Sequence, residues 1–257
     1  MKRIVLKVGT AVLTEQNRLC KERMLALVTL IAKLKEQYEV LLVTSGSVAA
    51  GYGVLKLDKK LIANRQALAS IGQPILAMTY KKKFERFGIN TAQVLLVDDD
   101  FDSIRRLKHA KEMMEVLIKQ DVVPIINEND ATAIRELTFG DNDKLSAEVT
   151  VNFGADMLVI LSDISGYYDK DPKYNEDAVL KKVVSAIEPS ELELPFEAGS
   201  EFATGGIVSK LRAANFLLEN SLPMFFTSGM DLKDAYSFLL DNNHVGGTLF
   251  KKGDTDA

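Results

Sequence analysis

Short, continuously apolar runs alternate with helical patterns along this chain, and no other feature limits its fold as much. Residues 4–8, 40–43, 93–97, 122–126, 157–161 and 224–226 are runs of mostly aliphatic or aromatic residues, too short for buried helices. Apolar residues recur at helical spacing over 21–37, 65–87, 104–119, 144–153 and 207–220. Met24, Leu27, Val28, Ile31 and Leu34 mark the inner face of the first helix, and Leu107, Met114 and Leu117 that of the third. Gly72-Gln73-Pro74 predicts a break or kink in the second. Strands that are apolar on both faces, alternating with helices, predict a layered α/β domain with a mostly parallel sheet. Segments 129–143 and 165–203 are rich in turn residues and read as hairpins or loops. With no repeat, low-complexity tract or linker, one domain over 1–257 is expected.

Composition narrows the function classes. With 47% hydrophobic and 26% charged residues the chain is neither disordered nor a coiled coil. Its single cysteine, Cys20, excludes an intrachain disulfide and a Cys-cluster metal site, and points to a reducing, cytoplasmic compartment. A net charge of −4 argues against general binding to nucleic acid or anionic membranes. Neither an apolar stretch of membrane-spanning length nor a leader pattern occurs. His109 and His244 lack metal-ligand spacing, and no ligand set for a metal can be picked out.

In an open α/β sheet, ligands bind outside the carboxyl ends of the strands, and polar residues gather at each of those ends here. Lys7 interrupts an apolar strand, where an unpaired charge would be costly to bury. It either snorkels from the strand end to water or serves as a phosphate ligand, and Gly9 beside it favours the second. Ser45-Gly46-Ser47-Val48-Ala49-Ala50-Gly51 runs from a strand into a helix. Its small residues fit an anion site at a helix N-terminus or close strand–helix packing. Asn127-Glu128-Asn129-Asp130 and Gly140-Asp141-Asn142-Asp143 crowd carboxylates that need cations, amides or water between them, and solvated turns would also satisfy them. Thr204-Gly205-Gly206-Ile207-Val208-Ser209-Lys210 opens a helix with two glycines and sets a lysine one turn in, a phosphate cradle or a loop with a surface lysine. Neither a Walker A loop nor a dinucleotide fingerprint occurs.

Together these motifs resemble the amino-acid kinase family. The matching stretches run in the family's order: 6–10, 43–51, Pro124-Ile125-Ile126-Asn127-Glu128-Asn129-Asp130, Phe139-Gly140-Asp141-Asn142-Asp143 through Ala147, Ser162 to Tyr168 with Asp171-Pro172, and Thr204-Gly205-Gly206. The paired N-E-N-D and G-D-N-D motifs resemble the branch that acts on glutamate. The resemblance implies a three-layer sandwich around a mostly parallel sheet. It also implies ATP-dependent phosphorylation of the side-chain carboxylate of L-glutamate, the first step of proline biosynthesis. The N-terminal half would bind glutamate and the C-terminal half ATP. Many relatives carry a C-terminal PUA domain, and the expectation here is a kinase domain without one.

By the same resemblance Lys7 and Lys210 neutralise the transferring phosphoryl group, Asp143 orients the two lysines, and Gly9, Gly46 and adjacent amides cradle it. Ser45, Gly46, Asp130 and Asn142 hold glutamate, with Asp130 facing the α-ammonium group. Lys7, Gly9, Ser162, Asp163, Thr204, Gly205, Gly206, Ile207, Val208, Ser209 and Lys210 contact the nucleotide, and Mg²⁺ bridges its phosphates. Ser162 stands where threonine is usual. Feedback inhibition by proline and a homo-oligomer, dimer or tetramer, are also implied. A kinase for another carboxylate, such as acetylglutamate, and a non-catalytic sensor are the competing readings. Asp130 opposes the first, because an acetylated amine carries no charge to pair.

Overall fold

The computed structural model describes residues 1–133, 142–193 and 206–253. In chain order they form β1 (Lys2–Val8), α1 (Thr10–Leu13), β2 (Thr14–Glu15), β3 (Arg18–Leu19), α2 (Lys21–Leu34), β4 (Tyr38–Val43), α3 (Ser47–Tyr52) and α4 (Ile62–Phe84). There follow β5 (Thr91–Leu96), α5 (Asp98–Asp102), α6 (Ile104–Lys119), β6 (Val123–Glu128), α7 (Asp143–Asn152) and β7 (Met157–Ser162). The remainder is β8 (Val183–Val184), α8 (Pro189–Leu192), α9 (Gly206–Glu219), β9 (Met224–Ser228), α10 (Lys233–Leu240) and β10 (Thr248–Phe250).

Eight strands form one sheet in the order β5-β6-β4-β1-β7-β9-β10-β8. Only the β9–β10 pairing is antiparallel among them. The expected mostly parallel sheet with helices on both faces is what the chain forms. β1 lies at the centre, with Lys7 in register with Val43 of β4 and Ile160 of β7. Successive side chains of a strand point to opposite faces. Ile4, Leu6 and Val8 therefore join the core under α2, α4 and α10, while Val5 joins the core under α6, α7 and α9. Lys7 shares its parity with Val5 and is aimed at α7. The helices of the described residues include none long and apolar enough to cross a membrane.

Of the break or kink expected at Gly72-Gln73-Pro74, the break does not occur: α4 continues through it. Proline removes the bond to the carbonyl four residues back, that of Ser70. Ser70 and Pro74 are both exposed, so water can hydrate that carbonyl. The glycine before it has another role. A Cβ on Gly72 would lie 1.7 Å from the Ser47 carbonyl oxygen, and one on Gly51 would lie 1.9 Å from that of Leu68. Helices α3 and α4 therefore touch backbone to backbone. Gly72→Ala is expected to cost about 2 kcal/mol, because the helices must separate. Urea unfolding checks this, and an unchanged midpoint would contradict it.

Candidate active site

Lys7 is only 2% exposed, and its Nζ lies 2.5 Å from Oδ1 of Asp143, which is fully buried. Asp143 opens α7, where a carboxylate also benefits from the helix dipole. Its Oδ2 accepts from Lys210 Nζ at 3.1 Å and from Ser209 Oγ at 2.8 Å. Lys210 also donates to the Gly206 carbonyl at 2.8 Å. Residues far apart in sequence thus meet where β1, α7 and α9 converge. Buried charges persist only when paired, so Lys7 is not a strand-end lysine reaching for water.

Asn142, next to Asp143, joins this centre to the end of β4. Its Nδ2 lies 2.6 Å from the Thr44 carbonyl, 2.7 Å from Asn127 Oδ1 and 3.2 Å from Ser45 Oγ. Two hydrogens serve three acceptors, so the network is tight. Thr44 is anchored beneath by the hydroxyl of fully buried Tyr80 at 2.8 Å, whose phenol burial pushes up and keeps neutral. The Nδ2 of Asn127, a residue 3% exposed, has no hydrogen-bond partner among the described residues. A buried donor without an acceptor is costly, which leaves it available to a ligand.

Beside this network opens a cavity of about 340 Å³. Ser45 and the first turn of α3 form one wall, and Asn127, Glu128, Asp130 and Asn142 form another. Thr10, Thr14, Asn17, Lys59 and Arg65 complete it. Gly46 caps α3 with φ +103°, a left-handed value that favours glycine, and so leads the chain from β4 directly into the helix. The first-turn amides have no acceptor within the helix and are available to an anion.

Asp130 accepts from Ser47 Oγ at 2.8 Å. Burial pushes its carboxyl above the usual aspartate range, against the opposing effects of Ser47, the Arg65 charge and Gln73. The folded chain therefore holds this proton more tightly than the unfolded chain does. The resulting stability is present below the ordinary aspartate range and is lost as pH rises through the raised value. Asp130→Asn removes that loss. Its stability relative to the parent is expected to be higher at about pH 7 than at about pH 3.5. Urea midpoints at the two pH values measure this, and a stability of the variant relative to the parent that falls towards neutrality would contradict it.

Not every predicted residue takes the expected part. The Gly9 amide donates to the Leu161 carbonyl at 3.1 Å, continuing the β1–β7 ladder, so it is already committed and cannot cradle phosphate without breaking that bond. Ile207 packs on the apolar core and Val208 is buried, so neither side chain is turned to a nucleotide. Ser162 donates to Asp163 Oδ1 at 2.9 Å at the end of β7. Thr204 and Gly205 lie outside the described residues, as do Gly140 and Asp141 of the G-D-N-D motif. The sequence reading missed Asn127, Lys59, Arg65 and Asn17 as cavity residues. Asn127 sits inside a motif already recognised, but the other three carry no motif.

Residues 2–228 match the amino acid kinase family. The chain is 50% identical to the glutamate 5-kinase of Wolinella succinogenes, over 98% of this chain and 99% of the relative. It is 49% identical to that of Leishmania donovani, over 97% and 95%. The glutamate 5-kinase of Streptococcus suis is 39% identical over 98% of this chain, which spans 71% of that longer relative. Among solved structures, an isopentenyl phosphate kinase of T. acidophilum aligns with a TM-score of 0.65 at 16% identity, covering 97% of this chain and 100% of that one. Carbamate kinase from Giardia lamblia bound to AMP-PNP aligns with a TM-score of 0.65 at 17% identity, over 98% and 99%.

Proposed function

The chain belongs to the amino acid kinase family, and on that premise we propose that it transfers the γ-phosphoryl group of ATP to the side-chain carboxylate of L-glutamate. This is the first step of proline biosynthesis. One observation supports the reading most: two buried lysines converge on Asp143, directly beside a cavity that offers both anion and ammonium partners.

The nucleophile is a carboxylate, already ionised at neutral pH, so no general base is needed. The obstacle is electrostatic, because an anion must approach a triphosphate. Lys7 and Lys210 neutralise the transferring group, and Asp143 holds both in place before substrate arrives. Such fixed charges do not have to reorganise during reaction, which is where their catalytic value lies. Ser45, Gly46 and Asn127 bind the reacting carboxylate, Asn142 holds Ser45 and Asn127 in place for it, and Asp130 pairs with the α-ammonium group. Ser162, Asp163 and the first turn of α9 take the nucleotide, with Ile207 and Val208 contributing backbone only.

Mg²⁺ belongs to the same proposal. The described residues contain no cluster of three or more His, Cys, Asp or Glu side chains able to cage a metal. Mg²⁺ on a nucleotide is held chiefly by phosphate oxygens and water, which suits a site built of lysines and amides. Bound with the nucleotide beside Lys7 and Lys210, it would supply further neutralisation of phosphate charge.

One domain carries both halves: the cavity walls come from the N-terminal part and from Asn142, and the nucleotide groups, Lys7 apart, from α7 onward. Proline, with its own ammonium and carboxylate, would compete for the glutamate cavity as a feedback inhibitor. Exposed Val54, Leu55, Leu61, Ile62 and Met78 supply an apolar surface around α3 and α4 for self-association. A substrate panel tests the central reading. With ATP, Mg²⁺ and hydroxylamine, hydroxamate should form from L-glutamate and not from acetylglutamate or aspartate. Product from acetylglutamate instead would overturn the assignment of Asp130.

A further inference from the structure

Glutamate carries two carboxylates, and the groups assigned so far account for one of them and for the ammonium. The cavity holds two further cations, Lys59 and Arg65. Lys59 is held at the rim by two neutral groups. Its Nζ donates to Asn17 Oδ1 at 2.6 Å and sits 4.1 Å from the centroid of the Tyr52 ring. Asn17 is placed by the β2–β3 hairpin, whose tip residues Gln16 and Asn17 are both left-handed (φ 47° and 58°), the geometry of a two-residue hairpin turn. Lys56 occupies the same ring at 4.2 Å, so a second positive charge stands nearby. Burial, then repulsion from Lys56, lower the pKa of the Lys59 ammonium. Neither Lys59 nor Arg65 forms an ion pair among the described residues. A neutral amide, an aromatic face and a like charge position an ammonium group without neutralising it.

We propose that Lys59 and Arg65 form the subsite for the α-carboxylate of the acceptor, so that the cavity recognises an α-amino acid at its ammonium and carboxylate together. This rests on the reading that the cavity binds glutamate. The reacting carboxylate lies with Ser45, Asn127 and Asn142 beside the lysines of the phosphoryl site. The α-carboxylate then falls to the cations held through the hairpin and α4. Such contacts form before the chemistry and persist through it, so they govern KM more than kcat.

The test compares L-glutamate with 4-aminobutyrate, which keeps the ammonium and the reacting carboxylate but lacks the α-carboxylate. Lys59→Met and Arg65→Met are each expected to raise the glutamate KM about tenfold or more, with kcat within about threefold. Lys59→Met should change kcat/KM for 4-aminobutyrate by less than about twofold, read as its inhibition constant against glutamate if turnover is too slow. Arg65→Met, whose charge also acts on Asp130, should lose clearly less on 4-aminobutyrate than on glutamate. Lys59→Arg should restore most of the glutamate affinity. Lys56→Met, which touches Tyr52 but not the cavity, should leave both substrates unchanged. Equal losses on the two substrates, or an unchanged glutamate KM, would overturn the subsite. Failure of the parent protein to phosphorylate glutamate would instead overturn the underlying reading, and needs no variant to detect.

Discussion

Lys7→Ala and Lys210→Ala are each expected to lower kcat by about a hundredfold or more, the usual effect of removing one preorganised donor from a developing charge. Both lysines are buried, at 2% and 7% exposure, so solvent does not readily take over their role. Both are fixed by Asp143, so neither spends rotamer freedom when the phosphates arrive. Glutamate KM should move far less than kcat, because neither lysine lines the glutamate cavity. Steady-state kinetics at saturating ATP separate the two parameters. Turnover within a few-fold of the parent in either variant would remove that lysine from the catalytic machinery.

The second large effect is on stability. Asp143 is 0% exposed and receives Lys7, Lys210 and Ser209. Asp143→Ala leaves two buried ammonium groups without their shared carboxylate. Breaking a buried pair from one side costs about 3–5 kcal/mol, much of it the desolvation of the charge left behind. Denaturant unfolding should show a loss of that size, with activity abolished as well. Added ATP should recover part of it, because the phosphates supply the missing anion and a ligand of the folded state stabilises it by mass action. A loss below about 1 kcal/mol would mean that the lysines find water or other partners, and that Asp143 does not organise them.

The sequence reveals the frame of this molecule because its strands are buried on both faces and its helices have one apolar stripe. The helix over 104–119 was legible to the residue for that reason. Lys7 was legible as an anomaly, since a charge inside an apolar strand needs a cause. What pairs with it was legible only through the family resemblance, because Asp143 and Lys210 are distant in sequence and meet only in the packed chain. Pro74 does not end the helix, because the carbonyl it leaves unpaired is exposed to water and α4 packs on α3 where Gly72 and Gly51 let the backbones touch. α10 and β10 were missed, being short, and the pairing of β10 with β9 and β8 is a long-range choice. Lys59 and Arg65 look like any surface cations until a hairpin tip and an aromatic ring place Lys59 at the cavity and α4 places Arg65 there. The Gly9 amide could not be read at all, since its acceptor belongs to a strand about 150 residues away.

The claim that a glutamate oxygen attacks the γ-phosphorus is tested most directly by isotope transfer. L-Glutamate labelled with ¹⁸O in its side-chain carboxylate is turned over with ATP and Mg²⁺ in the presence of hydroxylamine. A carboxylate oxygen that forms the new P–O bond becomes the bridging atom of the acyl phosphate. Hydroxylamine then attacks the acyl carbon, the C–O bond breaks, and phosphate leaves carrying that oxygen. Mass spectrometry should find one ¹⁸O in each phosphate released. Unlabelled phosphate, formed at a rate independent of glutamate, would mean that water is the acceptor and would contradict the account.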